Sequence, residues 1–449
     1  MKIPKSPPEF VQMIKKMAEF KDEPEKMATL LLLSGTLNSA GEYRHWDQLR
    51  HRPLPEEFPE NSTLEDFWWV IKVNRNATKK ILSFYSKEKN QSLFSFSRPD
   101  CLLASLRHID LKAGGTIVSG KEKIGKQDGQ RYLTRSLIEE PFSSSVLEGA
   151  ATTRQKAQAL IEKNELPRTK DEQMVLNNYR AMLFMKEHKN EPLTPSLILE
   201  CHRIITEKTL ERPEMAGVLR DNNEVFVGDN YGEIFHIPPD FSELETRLQN
   251  LCDFANQFEG DGTPYIHPVI RAIILHFMLA YDHPFIDGNG RTARALFYWS
   301  VLRSGYWIME YISISKIIKE APTKYGMAFL YTETDENDVT YFIMHQLNVL
   351  KKAITELEAY LDRQKYKYKQ IDSLLSKQSF NRRQSYLLGE FIRNRLRNIT
   401  IIQHQRVHGV SYLTARKDFE DLERDGWLKK KVKGRTYIYT AGRKLDELR

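Results

Sequence analysis

Two strongly apolar segments, 266–281 and 295–302, are separated by the run His283-Pro284-Phe285-Ile286-Asp287-Gly288-Asn289-Gly290-Arg291-Thr292-Ala293-Arg294. Ile273, Ile274, Phe277 and Met278 before it, and Leu296, Phe297, Trp299, Val301 and Leu302 after it, recur at helical spacing. The polar run must therefore be a tight loop that opens a helix inside a packed core. Gly288 and Gly290 allow backbone N–H groups to turn inward at the helix start, where the dipole also favours anions. Arg291 and Arg294 lie one turn apart, close enough to clamp successive phosphates. Asp287 supplies a hard carboxylate suited to Mg²⁺ on a polyphosphate. His283 is a side chain that takes a proton near neutral pH. Each part has a plainer use when taken singly, as a turn, a structural histidine or a helix cap. Their concentration in one loop describes nucleotidyl or phosphoryl transfer.

The rest of the chain reads mainly as helices. Residues 4–115 contain a leucine-run helix at 27–39 and an aromatic-rich one at 64–83, separated by turn-rich stretches such as 51–61. Further helices are expected at 171–188, 194–210, 239–258 and 266–281. The exception is 225–237: Val225-Phe226-Val227-Gly228, then turn residues, then Ile234-Phe235-His236-Ile237, a short hairpin in a helical domain. Leu347, Leu350, Ile354, Leu357 and Leu361 form a heptad seam that continues through Tyr368, Ile371 and Leu375. A helix laid on its own core and a homodimeric coiled coil fit it equally. In the tail, helices at 382–396, 401–407 and 411–425, the last capped by Ser411, precede strands at 427–432 and 436–439 around Lys433-Gly434-Arg435. That order is a winged-helix pattern.

Composition limits the partners. The net charge is +7. Residues 379–449 hold 17 Lys/Arg against 8 Asp/Glu, a balance of +9 that leaves the remainder at −2. Any nucleic-acid argument thus concerns the tail. Cys101, Cys201 and Cys252 lie far apart, which argues against a disulfide framework or a zinc site and fits a reducing cytoplasm. No apolar stretch is long enough to span a bilayer, so no membrane partner is expected.

At this point the sequence resembles the Fic family: residues 283–294 match its signature HPFx(D/E)GNGRxxR at every specified position. The likeness extends over roughly 131–347, taking in Gly217, Arg220, Pro238-Pro239 and His267-Pro268. It implies a mainly α fold: an amino-terminal helical extension (1–115), a Fic-type helical core with a β-hairpin flap (131–347), a connecting helix (348–378) and an α+β winged-helix domain (379–449). It also implies an activity, protein adenylyltransfer, in which AMP passes from ATP to a Ser, Thr or Tyr hydroxyl of a protein. His283 would be the general base and Asp287 would bind Mg²⁺. Gly288, Asn289 and Gly290 would form the anion hole, while Arg291 and Arg294 would hold the β- and γ-phosphates. Thr292 and Ala293 would complete the ATP-binding loop. Val225, Phe226, Val227 and Gly228 match the flap, whose edge pairs with an extended piece of the protein target and which, like Glu148, would be among the ATP-binding residues; Tyr325 falls near the nucleotide base. The segment after Tyr325 departs from the family pattern at Asp335-Glu336-Asn337-Asp338. Upstream, Ser144, Glu148 and Gly149 match the family's inhibitory helix, (S/T)xxxE(G/N), at 143–150. The resemblance implies that Glu148 pairs with Arg294 and displaces the γ-phosphate. Two alternatives stay open: a winged-helix DNA-binding regulator with the core as sensor or scaffold, and a Fic-type enzyme that removes AMP.

Overall fold

A computed structural model describes residues 1–9, 12, 15, 18, 22–37, 42–86, 91, 92, 94–114, 117–119, 122–124, 138–229, 231–257, 264–376, 380–392, 398–433 and 436–447. The chain divides into two compact units, Met1–Leu357 and Glu358–Arg449.

The first unit is built around the antiparallel helices Pro268–Asp282 and Asn289–Arg303, which pack on each other and are buried along almost their whole length. Pro268 occupies the first turn of one, where its missing N–H costs nothing, and the His267 side chain caps the Val269 N–H. Lys170–Glu187 and Pro195–Thr206 pack against Asn289–Arg303. Thr169 and Thr194 cap them by accepting from Glu172 N–H and Leu197 N–H. Glu139–Leu147 lies across Lys170–Glu187 and Ile314–Glu320.

The amino-terminal region has its own apolar cluster, in which Trp46, Trp68 and Trp69 are buried with Leu30, Leu49 and Phe67. The helices are Pro24–Leu37, Trp46–Leu49 and Leu64–Ala77. The region departs from an all-helical reading after Ala77. Lys80–Ile81 pairs with Ser95–Phe96, and Tyr85–Ser86 pairs with Gln91–Ser92. Leu82 and Phe84, and likewise Phe94 and Phe96, are buried at a spacing of two, which is the period of strands and not of helices.

A buried polar clamp ties this region to the core. Lys72 Nζ lies 2.6 Å from Asp335 Oδ1, and Tyr341 donates to Asp335 Oδ2 at 2.7 Å. Arg75 donates to Tyr341 Oη at 2.7 Å and stacks on Tyr43, whose hydroxyl donates to Asp338. The unusual segment 335–338 is thus spent on docking the extension. The Leu347, Leu350, Ile354 and Leu357 seam of Thr340–Ser376 is buried in the chain's own core, leaving no apolar stripe there for a coiled-coil partner. The side chains of Tyr368, Ile371 and Leu375 lie outside the described residues, as do Gly115, Arg131 and Asn230.

The second unit holds Arg382–Ile392, Ile401–His408 and Tyr412–Arg424, followed by antiparallel Leu428–Lys433 and Thr436–Ala441. Gly409 ends the middle helix in the left-handed region, and Ser411 caps the next by accepting from Thr414 N–H. Leu388, Phe391, Phe419, Leu422, Trp427 and Tyr439 form its core. Gly434 and Arg435 of the hairpin tip lie outside the described residues. Among the described residues no helix is long and apolar enough to cross a membrane.

The clamp generates a testable expectation. Burial would push the Asp335 carboxyl up, but the Lys72 ammonium and Arg75 guanidinium outweigh it and hold it below the usual carboxylate range. Its contribution to stability is therefore complete above an ordinary Asp value of about 4 and is lost as pH falls below that. Asp335→Ala leaves Lys72 buried without its closest counter-charge and should cost about 3–5 kcal/mol in denaturant melts at pH 7. It should also flatten the acid limb of the stability profile.

Candidate active site

The loop between the two central helices is held at both ends in left-handed backbone. His283, the C-cap of Pro268–Asp282, has φ 45°, and Gly288, the N-cap of Asn289–Arg303, has φ 86°. A non-glycine residue in that region is costly and persists only where surroundings enforce it. Here Arg220 does much of the enforcing. Its N–H donates to Pro284 O at 2.9 Å, its Nε to His283 O at 3.0 Å, and its remaining nitrogens to Asn222 O, Asn223 and Pro239 O. Asn289 closes the loop from the other end, accepting from Phe285 N–H at 2.9 Å and donating to Phe285 O at 2.8 Å. Its side chain is thereby consumed by the loop itself. A Cβ at Gly288 would strike Thr206 and the His202 ring, so this position has no room for a side chain.

His283 Nδ1 bonds Ala280 O at 3.1 Å, which puts the proton on Nδ1 and leaves the lone pair on Nε2. Burial lowers its pKa, aided by His236 and Arg220 and opposed by the Ala280 bond, so the ring is neutral at pH 7. Asp287 is half exposed. Its Oδ1 accepts from Gly288 N–H at 2.5 Å and from Arg291 at 3.2 Å. Arg291 is wholly buried: one terminal nitrogen donates to Ile205 O at 3.4 Å, and its Nε is buried with no partner. The first intrahelical bond of the following helix runs from Thr292 N–H to Gly288 O at 2.9 Å. The N–H groups of Asn289, Gly290 and Arg291 precede it and point out of the helix start. The Thr292 hydroxyl donates to Gly288 O, and both Thr292 and Ala293 are completely buried. These two residues form the body of the helix, not its anion-facing end.

Arg294, one turn further on, is buried and meets the helix Glu139–Leu147. Its Nε donates to Ser144 Oγ at 2.9 Å, and one terminal nitrogen donates to Ser144 O at 3.3 Å and to Glu148 Oε1 at 2.7 Å. Glu148 is placed by how its helix ends. Gly149 has φ 95°, Ala150 N–H bonds Ser145 O at 3.0 Å and Gly149 N–H bonds Val146 O at 3.0 Å, a Schellman stop. The Glu148 carboxylate lies over Gly290, where any Cβ would collide with it. Tyr325 Oη is 2.9 Å from His276 Nε2; burial pushes the hydroxyl's pKa up while the nearby Arg294 opposes the shift.

In the hairpin, Val227–Gly228 pairs with Ile234–His236, with a register shift between Val227 and Gly228. Val225 and Phe226 precede the ladder, and Phe226 and Val227 are exposed. His236 ties the hairpin inward, with Nδ1 at 2.9 Å from Glu333 and Nε2 at 2.7 Å from Tyr281 O.

Several structural partners of the site carried no sequence signal. His202 bonds Asp287 O, Glu140 accepts from Ser313 and Ser315, and Arg247 pairs with Asp282 next to His283. Each is a single residue in an ordinary helix, joined to its partner only by folding. Asp287 supplies a carboxylate within the loop itself, and no cluster of three metal-binding side chains occurs among the described residues. The half-exposed Asp287 carboxylate is a hard oxygen donor of the kind that would hold a divalent ion, which would supply positive charge beside a polyphosphate.

Residues 192–301 match the Fic/DOC family. The protein adenylyltransferase Fic of Nematostella vectensis is 29% identical over 215 residues, covering 45% of this chain and 48% of that protein. That of Drosophila willistoni is 37% identical over 109 residues, 24% of this chain and 20% of its own length. The chain thus spans about half, or about a fifth, of the curated relatives it matches. A Fic family protein from Desulfovibrio desulfuricans G20 superposes with a TM-score of 0.48 at 17% identity, over 76% of this chain and 95% of that one. The stretch that matches is the one that builds the loop, its two helices and the hairpin, and on that ground the chain carries a Fic/DOC family domain.

Proposed function

We propose that the chain is a protein adenylyltransferase, moving AMP from ATP to a hydroxyl on a protein, and that Glu148 restrains it. The observation that carries the reading is one loop and the helix it opens, which together present His283 with its Nε2 lone pair, the N–H groups of a helix start and the buried Arg294. In this reading His283 Nε2 takes the proton from the target hydroxyl as its oxygen attacks the α-phosphorus in line, and pyrophosphate leaves. The N–H groups of Asn289, Gly290 and Arg291 hold phosphate oxygens, with Arg291 on the β- and Arg294 on the γ-phosphate. Mg²⁺, held through Asp287, would neutralise charge on the polyphosphate. The flap edge at 225–228 would align an extended piece of the target by strand addition. Tyr325, whose hydroxyl meets His276, would lie near the nucleotide base. Positioning and electrostatics supply most of the rate.

Glu148 and Ser144 together occupy the guanidinium that this scheme assigns to the γ-phosphate. A carboxylate and a phosphate compete for the same planar donors. ATP that binds while Glu148 remains would hold its α-phosphate turned from the flap.

A second reading concerns the second unit, where a helix–turn–helix precedes a hairpin bearing exposed Lys429, Lys430 and Lys431. We propose duplex DNA as its partner. Binding of a labelled duplex by the full chain should weaken steeply with salt, each neutralised phosphate adding about 0.9 to the log–log slope. Replacing those lysines by serine should flatten the slope, and an unchanged slope would remove the hairpin from the contact.

Two measurements test the main reading. His283→Ala should lower AMP transfer by ~10²–10⁴ while leaving ATP binding largely intact; transfer within a few-fold of the parent would remove His283 from the base role. Glu148→Gly should raise labelled-AMP incorporation at saturating ATP and Mg²⁺ by roughly tenfold to a hundredfold, the equivalent of one charge-assisted hydrogen bond. The same variant should melt at a lower temperature without nucleotide and recover on ATP addition, because Arg294 regains a counter-charge. Equal incorporation would place control elsewhere.

A further inference from the structure

His202 lies within the helix Pro195–Thr206, 85 residues before Asp287, and is wholly buried. Its two ring nitrogens have opposite duties. Nδ1 accepts from Gly217 N–H at 3.0 Å, so it carries the lone pair. Nε2 therefore carries the proton and donates to Asp287 O at 2.8 Å. One nitrogen accepting and the other donating is the pattern of a neutral ring. The ring stacks on Phe285 with centroids 3.7 Å apart and planes 4° from parallel, and its edge fills the space beside Gly288.

One imidazole thus meets the loop at 285, 287 and 288, and ties it to Gly217, three residues before Arg220. A trans peptide is planar, with its C=O and N–H pointing in opposite directions. Fixing the Asp287 carbonyl against His202 therefore fixes the plane of the Asp287–Gly288 peptide, from which the next helix departs. We propose that His202 is a positioning residue for this site: by donating to Asp287 O it sets the direction of the N–H groups at the helix start and of the Asp287 carboxylate. The proposal rests on the nucleotide-transfer reading. It differs from a packing role in what it demands, namely a donor at the place of Nε2 and not merely a flat ring on Phe285.

Three substitutions in the full-length Glu148→Gly protein separate the two. Gln carries an amide donor out to the position of Nε2, Asn reaches only the position of Nδ1, and Phe keeps the stack while losing both bonds. ATP dissociation constants in Mg²⁺ buffer, kcat for AMP transfer and melting curves are measured for each. His202→Gln should stay within about threefold of the parent in ATP affinity and kcat, while His202→Phe and His202→Asn lose on the order of tenfold to a hundredfold in both, the size expected of a misplaced site. Parental ATP affinity in His202→Phe, or a fall in His202→Gln as deep as in His202→Phe, would overturn the proposal. If the Phe protein fails to fold, the Asn and Gln pair decides, and Gln no better than Asn overturns it. Absence of AMP transfer in the Glu148→Gly parent with His202 intact would reject the transfer reading, while the ATP-affinity series would still decide the role of His202.

Discussion

Arg294 carries a full positive charge with only 2% of its side chain exposed, and the architecture around it follows from the need to answer that charge. A buried cation without a partner costs several kcal/mol, whereas a paired and hydrogen-bonded one is tolerated. Arg294 is answered on one side by Ser144 and Glu148, which brings the helix Glu139–Leu147 against the core. The same guanidinium faces Gly290 and the start of its own helix, where anions are already favoured. A cation so placed accepts either a carboxylate or a phosphate. The choice between them is the control proposed for this chain.

The loop that presents this arrangement is not rigid by virtue of its own sequence. Its left-handed residues at 283 and 288 would relax in an isolated peptide, and the folded chain prevents this with bonds from several elements. Arg220 fastens the carbonyls of His283 and Pro284, His202 fastens that of Asp287, and Asn289 fastens both polar groups of Phe285. Backbone amides aimed at a reacting phosphate are effective because they need no reorganisation when charge develops. The many fastenings of one short loop are the structural form of that preorganisation.

Much of this was legible in the residues. The apolar helices on either side of 283–294, the position of the hairpin, the Ser411 cap and the order of elements in the tail all follow from local periodicity and turn chemistry. What was not legible was long-range pairing. Lys72 and Asp335 are separated by 263 residues and His202 and Asp287 by 85, and no local pattern announces either pair. The strands between Lys80 and Phe96 escaped because each is two residues long, too short to establish an alternation against the helices around them. The buried roles of Thr292 and Ala293 are likewise invisible in the motif, which marks residue type but not which face of the helix turns inward.

The helix bearing Glu148 is held at both ends by carboxylates, and the two ends are unequal. Near its start, Glu140 is buried and accepts from Ser313 Oγ at 2.8 Å, Ser315 N–H at 3.0 Å and Ser315 Oγ at 2.5 Å. At its end, Glu148 is about a third exposed and sits on the last residue before a glycine stop. Charge-assisted bonds to a buried carboxylate are strong and costly to break, while a side chain at a helix terminus is free to change rotamer without disturbing a turn beyond it. In the proposed scheme, exchanging carboxylate for phosphate at Arg294 would require movement of one side chain, not of the helix. Ser144 lies one turn from the anchored Glu140, and its two bonds to Arg294 do not involve Glu148, so in that scheme they would remain while the third is exchanged.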